Sequence, residues 1–400
     1  MKHLIAKEAK RQNETLDLIP SENIASPAVR SALSSLFVNK YAEGYPGKRY
    51  YPGNAIADEL ETYVQDLVRK VFDLKDAAWR VNVQPYSGSP ANAAIYLGLL
   101  DWKDTILGMS LTHGGHLTHG HRVTFSGRAY RAVHYGVGVD GRIDYDQVEK
   151  MAKQHKPKML ISGASAYPRE IHFTRMGAIA KSVGALHLAD VSHIAGLIAA
   201  GLHQSPFGHA DIIMMTTQKT LRGPRGAIII SRAELSDQID KAVFPGFQGG
   251  PHLHTIAGIG VALEEAQKPV FRKYQAQVVK NANALAETLA RAGFALLSGG
   301  TDNHLMLADM RVLGLDGKGA EGMLERVGII ANRNTVPEDP SPFKPSGIRI
   351  GTPSVTSRGM GVREMRQIGK LIAATLIEKK PTREVHEAVQ ALCAKFPIKR

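Results

Sequence analysis

Short, unbroken apolar runs alternate with stretches of mixed polarity through the middle of the chain. The runs at 158–162, 186–190, 212–216 and 226–231 each end in small or polar residues. Uninterrupted apolar runs of this length are typical of strands buried on both faces of a mostly parallel sheet. Between the first two runs, Thr174 is placed to cap the start of a helix and Gly184 to end it. The pattern predicts an α/β fold built from strand–helix–strand crossovers.

The two ends of the chain follow a different pattern. Residues 1–15 have the spacing of a short amphipathic helix, and 17–27 are expected to be extended. A long stretch with few helix breakers, 254–292, is predicted as one helix leading into a smaller α+β domain. That domain would hold a strand at 303–309, a loop at 332–345 and helix from Arg363 on. We therefore predict an N-terminal helical arm over 1–18, a large domain over 19–268 and a small domain over 269–400.

Composition narrows the class of protein. Hydrophobic residues make up 44% and charged residues 22% of the 400 residues, which is ordinary for a globular protein. The longest apolar runs are far shorter than the ~20 residues of a membrane span, and the first residues lack the apolar core of a signal peptide. With a single cysteine, Cys393, these features predict a cytoplasmic protein.

The net charge of +13 raises the question of an acidic partner. The lysines and arginines are scattered and are not interleaved with an aromatic stripe, so nucleic-acid binding as a main function is not expected. Small anionic molecules fit the charge equally well.

One lysine stands in a chemically suggestive place. Lys219 comes three residues after the run 212–216, and Asp190 ends the run before it. The carboxyl ends of parallel strands form the ligand-binding edge of such sheets. A buried lysine of lowered pKa is suited to Schiff-base formation, and a carboxylate facing a pyridine nitrogen is what pyridoxal phosphate requires. The pair predicts a pyridoxal-phosphate site.

A phosphate cradle and a histidine cluster accompany this pair. A short segment before a predicted helix would offer hydroxyls and N–H groups to an anion; it consists of Ser87, Gly88 and Ser89. An ordinary turn with a helix cap would have the same sequence pattern. The cluster of histidines comprises His113, His116, His119 and His121. No carboxylate or cysteine lies among them, which disfavours a metal site, so a histidine stacked on a cofactor ring is the better interpretation.

Two further features indicate substrate binding. Four tyrosines surround Glu43 in the Gly/Pro-rich loop NKYAEGYPGKRYYPG, an unusual composition for a mere connector. Arg349 lies in the strand-like segment SGIRIGTP, where its planar guanidinium could bind a carboxylate in a bidentate pair.

Together these segments resemble a known family. SENIASP, NKYAEGYPGKRYY, NVQPYSGSPAN, HGGHLTHG, DVSHIAG, TTQKTLRGPRG, AVFPGFQGGP, SGGTDNHL and SGIRIGTP occur in the order found in serine hydroxymethyltransferases, from about residue 13 to 375. The resemblance implies the fold-type-I pyridoxal-phosphate architecture, a homodimer with shared active sites, and interconversion of serine plus tetrahydrofolate with glycine plus 5,10-methylenetetrahydrofolate.

The resemblance also implies roles at the cofactor. Lys219 would carry pyridoxal phosphate as a Schiff base, and Asp190 would pair with the pyridine nitrogen. His116 would stack on the ring, with His193 and Ser165 near its phenolic oxygen. The other residues expected at the cofactor are Ser87, Gly88, Ser89, Arg225 and, from the partner subunit, Tyr41 and Gly250.

At the substrates, the resemblance implies that Arg349 and Ser21 bind the amino-acid carboxylate. Glu43 and Tyr51 would reach across from the partner subunit toward the serine hydroxyl and the folate, and Thr216 would lie near the chemistry. The positions that match folate contacts are Tyr50, Leu111, Gly115, Leu117 and Asn334. No metal is implied.

The sequence departs from the family pattern beside the cofactor lysine. Relatives usually read T-T-T-T-H-K, whereas here Met214, Met215, Thr216, Thr217 and Gln218 precede the lysine. Glutamine forms hydrogen bonds but does not titrate near neutrality, so a changed rate or cofactor affinity is expected. Phe247 also stands where glycine is common.

Two alternatives stay open at this stage. A folate-independent aldolase acting on threonine or an α-methylserine would use the same scaffold, and the folate-loop residues Tyr50, Tyr51 and Asn334 argue against it. A non-catalytic RNA-binding protein is suggested by the net charge alone.

Overall fold

The computed structural model describes residues 1–75, 77–341 and 343–399. The helices are α1 (Lys2–Glu14), α2 (Pro27–Leu33), α3 (Ala55–Val71), α4 (Gly88–Leu99), α5 (Phe125–Ala129), α6 (Tyr145–His155), α7 (Phe173–Ser182), α8 (Ala195–Ala199), α9 (Ala233–Lys241), α10 (Leu253–Ala266), α11 (Pro269–Arg291), α12 (Gly317–Arg326), α13 (Pro353–Ser357), α14 (Val362–Leu376) and α15 (Thr382–Lys395). The strands are β1 (Leu16–Asp17), β2 (Gly44–Tyr45), β3 (Lys48–Arg49), β4 (Trp79–Asn82), β5 (Thr105–Met109), β6 (Arg131–Tyr135), β7 (Met159–Ser162), β8 (Leu186–Asp190), β9 (Ile212–Thr216), β10 (Ala227–Arg232), β11 (Ala295–Leu296), β12 (Leu305–Asp309), β13 (Ile329–Ile330), β14 (Asn332–Asn334) and β15 (Gly347–Gly351).

Seven strands of the described chain form a central sheet in the order β4-β10-β9-β8-β7-β5-β6. The neighbours from β9 to β6 are parallel, whereas β10 runs antiparallel to both β4 and β9. The predicted α/β fold with a mostly parallel sheet is confirmed. The runs at 186–190 and 212–216 are strands with the predicted bounds. The run at 226–231 is a strand shifted by one residue, and its antiparallel direction is not visible in an apolar run.

The predicted crossover between β7 and β8 is formed by α7, which packs against both strands. Thr174 is not its cap, because the helix already begins at Phe173 and His172 precedes it. The Thr174 hydroxyl instead lies 3.1 Å from Nε2 of His209. Gly184 follows the helix end with φ of +70°, the left-handed conformation in which glycine is least strained.

The stretch 254–292 is two helices and not one. α10 ends at Ala266 and α11 begins at Pro269, because proline cannot donate an intrahelical hydrogen bond but fits the first helical position. Phe271 at the start of α11 belongs to the core around the central sheet, whereas Ala282 and Leu285 belong to a second core.

That second core surrounds a four-stranded antiparallel sheet in the order β11-β12-β15-β14. The segment 332–345, predicted as a loop, contributes β14 to its edge. The N-terminal arm joins the same core, since β1 pairs in parallel with β13 and Leu16 is fully buried. Among the described residues, no helix combines the length and apolarity needed to cross a membrane.

Candidate active site

A cavity of about 320 Å³ lies at the carboxyl ends of the central strands. Asp190 is the last residue of β8, and Lys219 comes three residues after the end of β9. Both side chains line the cavity and both are buried. The α/β topology thus places the two sequence-predicted groups in one chamber at the edge where such sheets bind ligands.

Asp190 is held by hydrogen bonds to both carboxylate oxygens. Its Oδ2 accepts bonds of 3.0 Å from Asn92 Nδ2 and from His119 Nε2, and its Oδ1 accepts the Ser192 N–H at 3.1 Å. Burial alone would raise the pKa of Asp190, but the bonds from His119 and Ser192 outweigh it and lower the pKa below the usual range. Asp190 is therefore ionised, as a partner for a cationic ring nitrogen must be.

His119 is one of the four clustered histidines, but the sequence alone predicts no separate role for it. Its Nδ1 lies 3.4 Å from the backbone N–H of His116. Because Nδ1 accepts that hydrogen bond, the ring carries its proton on Nε2, where it donates to Asp190. His119 thereby orients the carboxylate.

His116 lines the cavity next to Asp190. Its Nδ1 accepts the Thr118 N–H at 3.2 Å, and Thr118 Oγ1 lies 2.7 Å from the same nitrogen. Burial lowers the pKa of His116 to about 4, so the ring is neutral at physiological pH. A neutral, fixed imidazole is suited to stacking on an aromatic cofactor. His113 and His121 do not line this cavity, and the described residues hold no cluster of metal-binding side chains.

Lys219 is 8% exposed and its surroundings favour the neutral amine. Burial lowers the pKa of its amine from 10.5 to about 8, even though the Asp190 carboxylate acts in the opposite direction. Its backbone is fixed by Asn23, whose Nδ2 donates to the Lys219 carbonyl at 2.9 Å. Nearby, the buried Thr216 Oγ1 has no hydrogen-bond partner among the described residues.

The predicted phosphate cradle lines the same cavity. Ser87 precedes α4, and its side chain makes no capping hydrogen bond within the described structure, so the hydroxyl is not used as an ordinary helix cap. Gly88 is required by space, because a Cβ there would lie 2.6 Å from Cγ2 of Thr216. Ser89 and Arg225 complete this wall. Donors at a helix N-terminus beside a guanidinium fit a phosphate group.

Arg349, on β15 of the second sheet, also lines this cavity. Its Nη1 donates to the Ser165 carbonyl at 2.6 Å, its Nε donates to Asn332 Oδ1 at 3.1 Å, and its Nη2 lies 3.5 Å from Ser21 Oγ. Burial lowers the pKa of Arg349 to about 10, which leaves the group charged at neutral pH. A buried guanidinium facing a chamber is suited to a carboxylate ligand.

Comparison with known proteins decides the family. A family model described as Serine hydroxymethyltransferase matches residues 1–372. A serine hydroxymethyltransferase of Desulforapulum autotrophicum is 52% identical over 397 residues, which make up 99% of this chain and 94% of that protein. The chain belongs to the serine hydroxymethyltransferase family. The predicted family, enzyme class and fold-type-I architecture are thereby confirmed. Serine hydroxymethyltransferases generally depend on pyridoxal phosphate and use tetrahydrofolate.

Four of the five residues expected at the folate line a second cavity. It has a volume of about 300 Å³ and shares His116 and Ser165 with the first one. The predicted residues in its wall are Leu111, Gly115, Leu117 and Asn334. Gly115 is required there, since a Cβ would lie 2.0 Å from the Met109 carbonyl oxygen. The fold thus brings Asn334 to three positions that lie more than 200 residues earlier in the chain.

The residues expected to act from the partner subunit, together with Tyr50, lie elsewhere in the chain. Tyr41 donates its hydroxyl hydrogen to Glu43 Oε1 at 3.3 Å, and the Tyr41 and Tyr51 rings meet edge to face at 5.5 Å. Gly250 adjoins them, since a Cβ there would lie 3.6 Å from Glu43 Cγ. Tyr50 packs on Phe244 with ring centroids 5.6 Å apart. Within the described structure these residues line neither cavity of their own chain.

Gln218, the departure from the serine hydroxymethyltransferase pattern, lines the first cavity. Its Oε1 is buried and has no hydrogen-bond partner among the described residues. The glutamine therefore places an acceptor with unused capacity beside Lys219.

Proposed function

We propose that this chain transfers the hydroxymethyl carbon of serine to tetrahydrofolate, giving glycine and 5,10-methylenetetrahydrofolate, with pyridoxal phosphate attached to Lys219. The observation that carries the proposal is one chamber lined by Lys219, Asp190, Arg349 and the Ser87–Gly88–Ser89 cradle. The donors of the cradle fit a phosphate, and the ionised Asp190 fits a pyridinium. When bound there, pyridoxal phosphate supplies an electron sink for the bonds at the amino-acid α-carbon.

The chain's own residues divide the remaining work. Lys219, with its lowered pKa, offers an unprotonated amine for attachment. Asp190 would hold a proton on the ring nitrogen, and His116 would stack on the face of the ring. Thr216 has a hydroxyl without a partner that is available for a hydrogen bond to a ligand in the cavity. Arg349 and Ser21 bind the amino-acid carboxylate, which sets the orientation of the substrate's scissile bond.

We further propose that the enzyme is a homodimer with shared active sites. Glu43 and Tyr51 form a cluster apart from their own cavities, and a two-fold dimer can place them in the partner's chamber. There the Glu43 carboxyl would relay a proton between the serine hydroxyl and the folate. The folate would occupy the second cavity, beside Leu117 and Asn334. The serine, glycine and folate substrates and a cytoplasmic location belong to the same proposal.

A serine-to-glycine assay with and without tetrahydrofolate tests this function. The wild-type protein should convert serine only with tetrahydrofolate present, and borohydride reduction followed by digestion should place the pyridoxyl label on Lys219. Lys219→Ala should lose both, whereas Lys181→Ala, which removes an exposed lysine on α7, should retain both.

Equal rates with and without tetrahydrofolate would refute the transferase assignment and favour the aldolase alternative. A label on another lysine would refute the assignment of Lys219.

A further inference from the structure

Two buried histidines from different parts of the chain meet behind the active site. His193 follows β8 and lines the cavity, whereas His304 directly precedes β12 and is completely buried. Nδ1 of His193 lies 3.2 Å from Nε2 of His304, with ring centroids 5.4 Å apart and ring planes inclined by 26°. The backbone of His193 is fixed as well, because Thr220 donates its hydroxyl hydrogen to the His193 carbonyl at 2.9 Å.

Both rings are neutral in this setting. Burial lowers the pKa of His304 to about 3, with Arg349 and Lys219 adding to the effect. Burial, followed by the same two cations, also lowers the pKa of His193 well below its ordinary value. Two neutral imidazoles share a single hydrogen between the facing nitrogens, so one ring must donate and the other accept.

The second nitrogen of His304 decides the direction. Nδ1 of His304 is buried and has no hydrogen-bond partner among the described residues. If Nε2 accepted the hydrogen bond from His193, this Nδ1 would carry a buried N–H without an acceptor. Orphaned buried N–H groups are rarer in native proteins than acceptors with unused capacity, because the donor loses its only hydrogen bond on leaving water. The favoured tautomer of His304 therefore carries its hydrogen on Nε2.

We propose that His304 is a positioning residue that donates its Nε2–H to Nδ1 of His193 and so keeps the hydrogen of His193 on Nε2. Nε2 is the nitrogen left for the cavity, so the chamber receives a hydrogen-bond donor at this point. A donor whose tautomer is fixed from behind is a common arrangement for functional histidines. The inference rests on the proposed function in one respect: the acceptor for this donor would be the phenolic oxygen of the cofactor.

Nitrogen NMR of the full-length protein labelled with ¹⁵N-histidine tests the tautomer. The His193 signals are identified by their loss in His193→Asn, and spectra are recorded both without cofactor and with pyridoxal phosphate. We expect a protonated Nε2 and an unprotonated Nδ1 in His193 from about pH 8 down to about pH 6. A hydrogen on Nδ1 of His193 in the cofactor-free wild type would overturn the inference, whatever happens to the variants.

Two variants of His304 test the source of the constraint. His304→Gln retains an N–H donor and should keep the tautomer, whereas His304→Phe retains none. The Phe variant should lose the single tautomer and bind pyridoxal phosphate about tenfold more weakly, since one neutral hydrogen bond is worth up to about that factor. His187→Asn, which alters another buried histidine outside the cavity, should leave the His193 signals unchanged.

The two levels of the proposal fail separately. Pyridoxal phosphate attached to Lys219 in a protein whose His193 carries its hydrogen on Nδ1 would refute the role of His304 alone. Absence of that attachment would refute the proposed function, and the cofactor-free spectra would still decide the tautomer.

Discussion

Lys219 is almost completely buried and lies within the electrostatic influence of the Asp190 carboxylate, and these two effects oppose each other in setting the pKa of its amine. With the pKa of its amine near 8, about a tenth to a quarter of the molecules carry a neutral amine between pH 7 and 7.5, against about a thousandth or less for an ordinary lysine. The amine attacks an aldehyde only in its neutral form. We therefore expect the proposed attachment of the cofactor to be faster at physiological pH than it would be at an ordinary lysine.

Cofactor attachment should consequently follow pH with a midpoint near 8. Stopped-flow absorbance of the cofactor-free protein mixed with pyridoxal phosphate should show the rate rising with pH and levelling off above about pH 9. Asp190→Asn removes the charge that raises this pKa, so its midpoint should move to lower pH. A rate that still rises steeply beyond about pH 9.5 would contradict the lowered pKa of Lys219.

Arg349 should be irreplaceable by lysine at the substrate carboxylate. Arg349→Lys keeps the charge but loses the planar pair of donors, and a hydrogen bond to a charged group is worth about 1.5–3 kcal/mol. The dissociation constant for serine, measured by calorimetry on the cofactor-loaded protein, should rise roughly ten- to hundredfold. Unchanged serine affinity would show that the carboxylate binds elsewhere.

Among the site residues, those at the carboxyl ends of strands could be predicted from the sequence. Lys219 and Asp190 were predictable as site residues because each lies at or just after the end of an apolar run. His119 and His304 were not, since their partners lie 71 and 111 residues away in the chain. Hydrogen-bond partners across such separations are set by tertiary packing, which one sequence does not encode in any local pattern.

Among the elements, the hairpin of β2 and β3 is held to the rest of its subunit by the side chain of Arg49. Arg49 is almost fully buried, donates to the carbonyls of Ala42 and Gly44, and forms ion pairs with Asp58 and Glu61 on α3. The two carbonyls belong to the residues on either side of Glu43. The loop proposed to enter the partner's active site is thus fixed from inside its own subunit.

Removing this anchor should be costly. Arg49→Met leaves the fully buried Glu61 carboxylate without its cation, and breaking a buried pair from one side costs about 3–5 kcal/mol. The midpoint of urea unfolding, followed by circular dichroism, should fall accordingly. Arg49→Met combined with Glu61→Leu should recover part of the loss. Wild-type stability in the single variant would show that the ion pair with Glu61 contributes little.

The predictability of the elements followed their local signals. Strand bounds at 186–190 and 212–216 were predictable because buried parallel strands are continuous apolar runs. The break before Pro269 is also encoded locally, but the helical pattern on both sides of it has the appearance of one long helix. The antiparallel direction of β10 was not encoded, because a strand buried on both faces has the same apolar pattern in either direction.

On the scale of the whole molecule, the proposed shared sites predict complementation between inactive variants. Lys219→Ala and Glu43→Gln are each expected to be inactive as homodimers. After mixing and subunit exchange, half of the dimers are hybrids, and each hybrid has one intact site, so about a quarter of wild-type activity should return.

Sedimentation and the same assay provide the checks on this prediction. The cofactor-loaded wild type should sediment as a dimer or a larger even assembly. If Glu43 served the cavity of its own chain, both sites of every hybrid would be defective and mixing would restore nothing.

Arg349 also has a mechanical consequence. Its guanidinium extends from β15 to the Ser165 carbonyl near the central sheet and toward Ser21, which follows the N-terminal arm, so it connects three parts of the chain at one point. A carboxylate that binds there competes with these tethers for the same donors. The bound substrate would then replace some of these hydrogen bonds. Each turnover would therefore break and re-form contacts between the two cores.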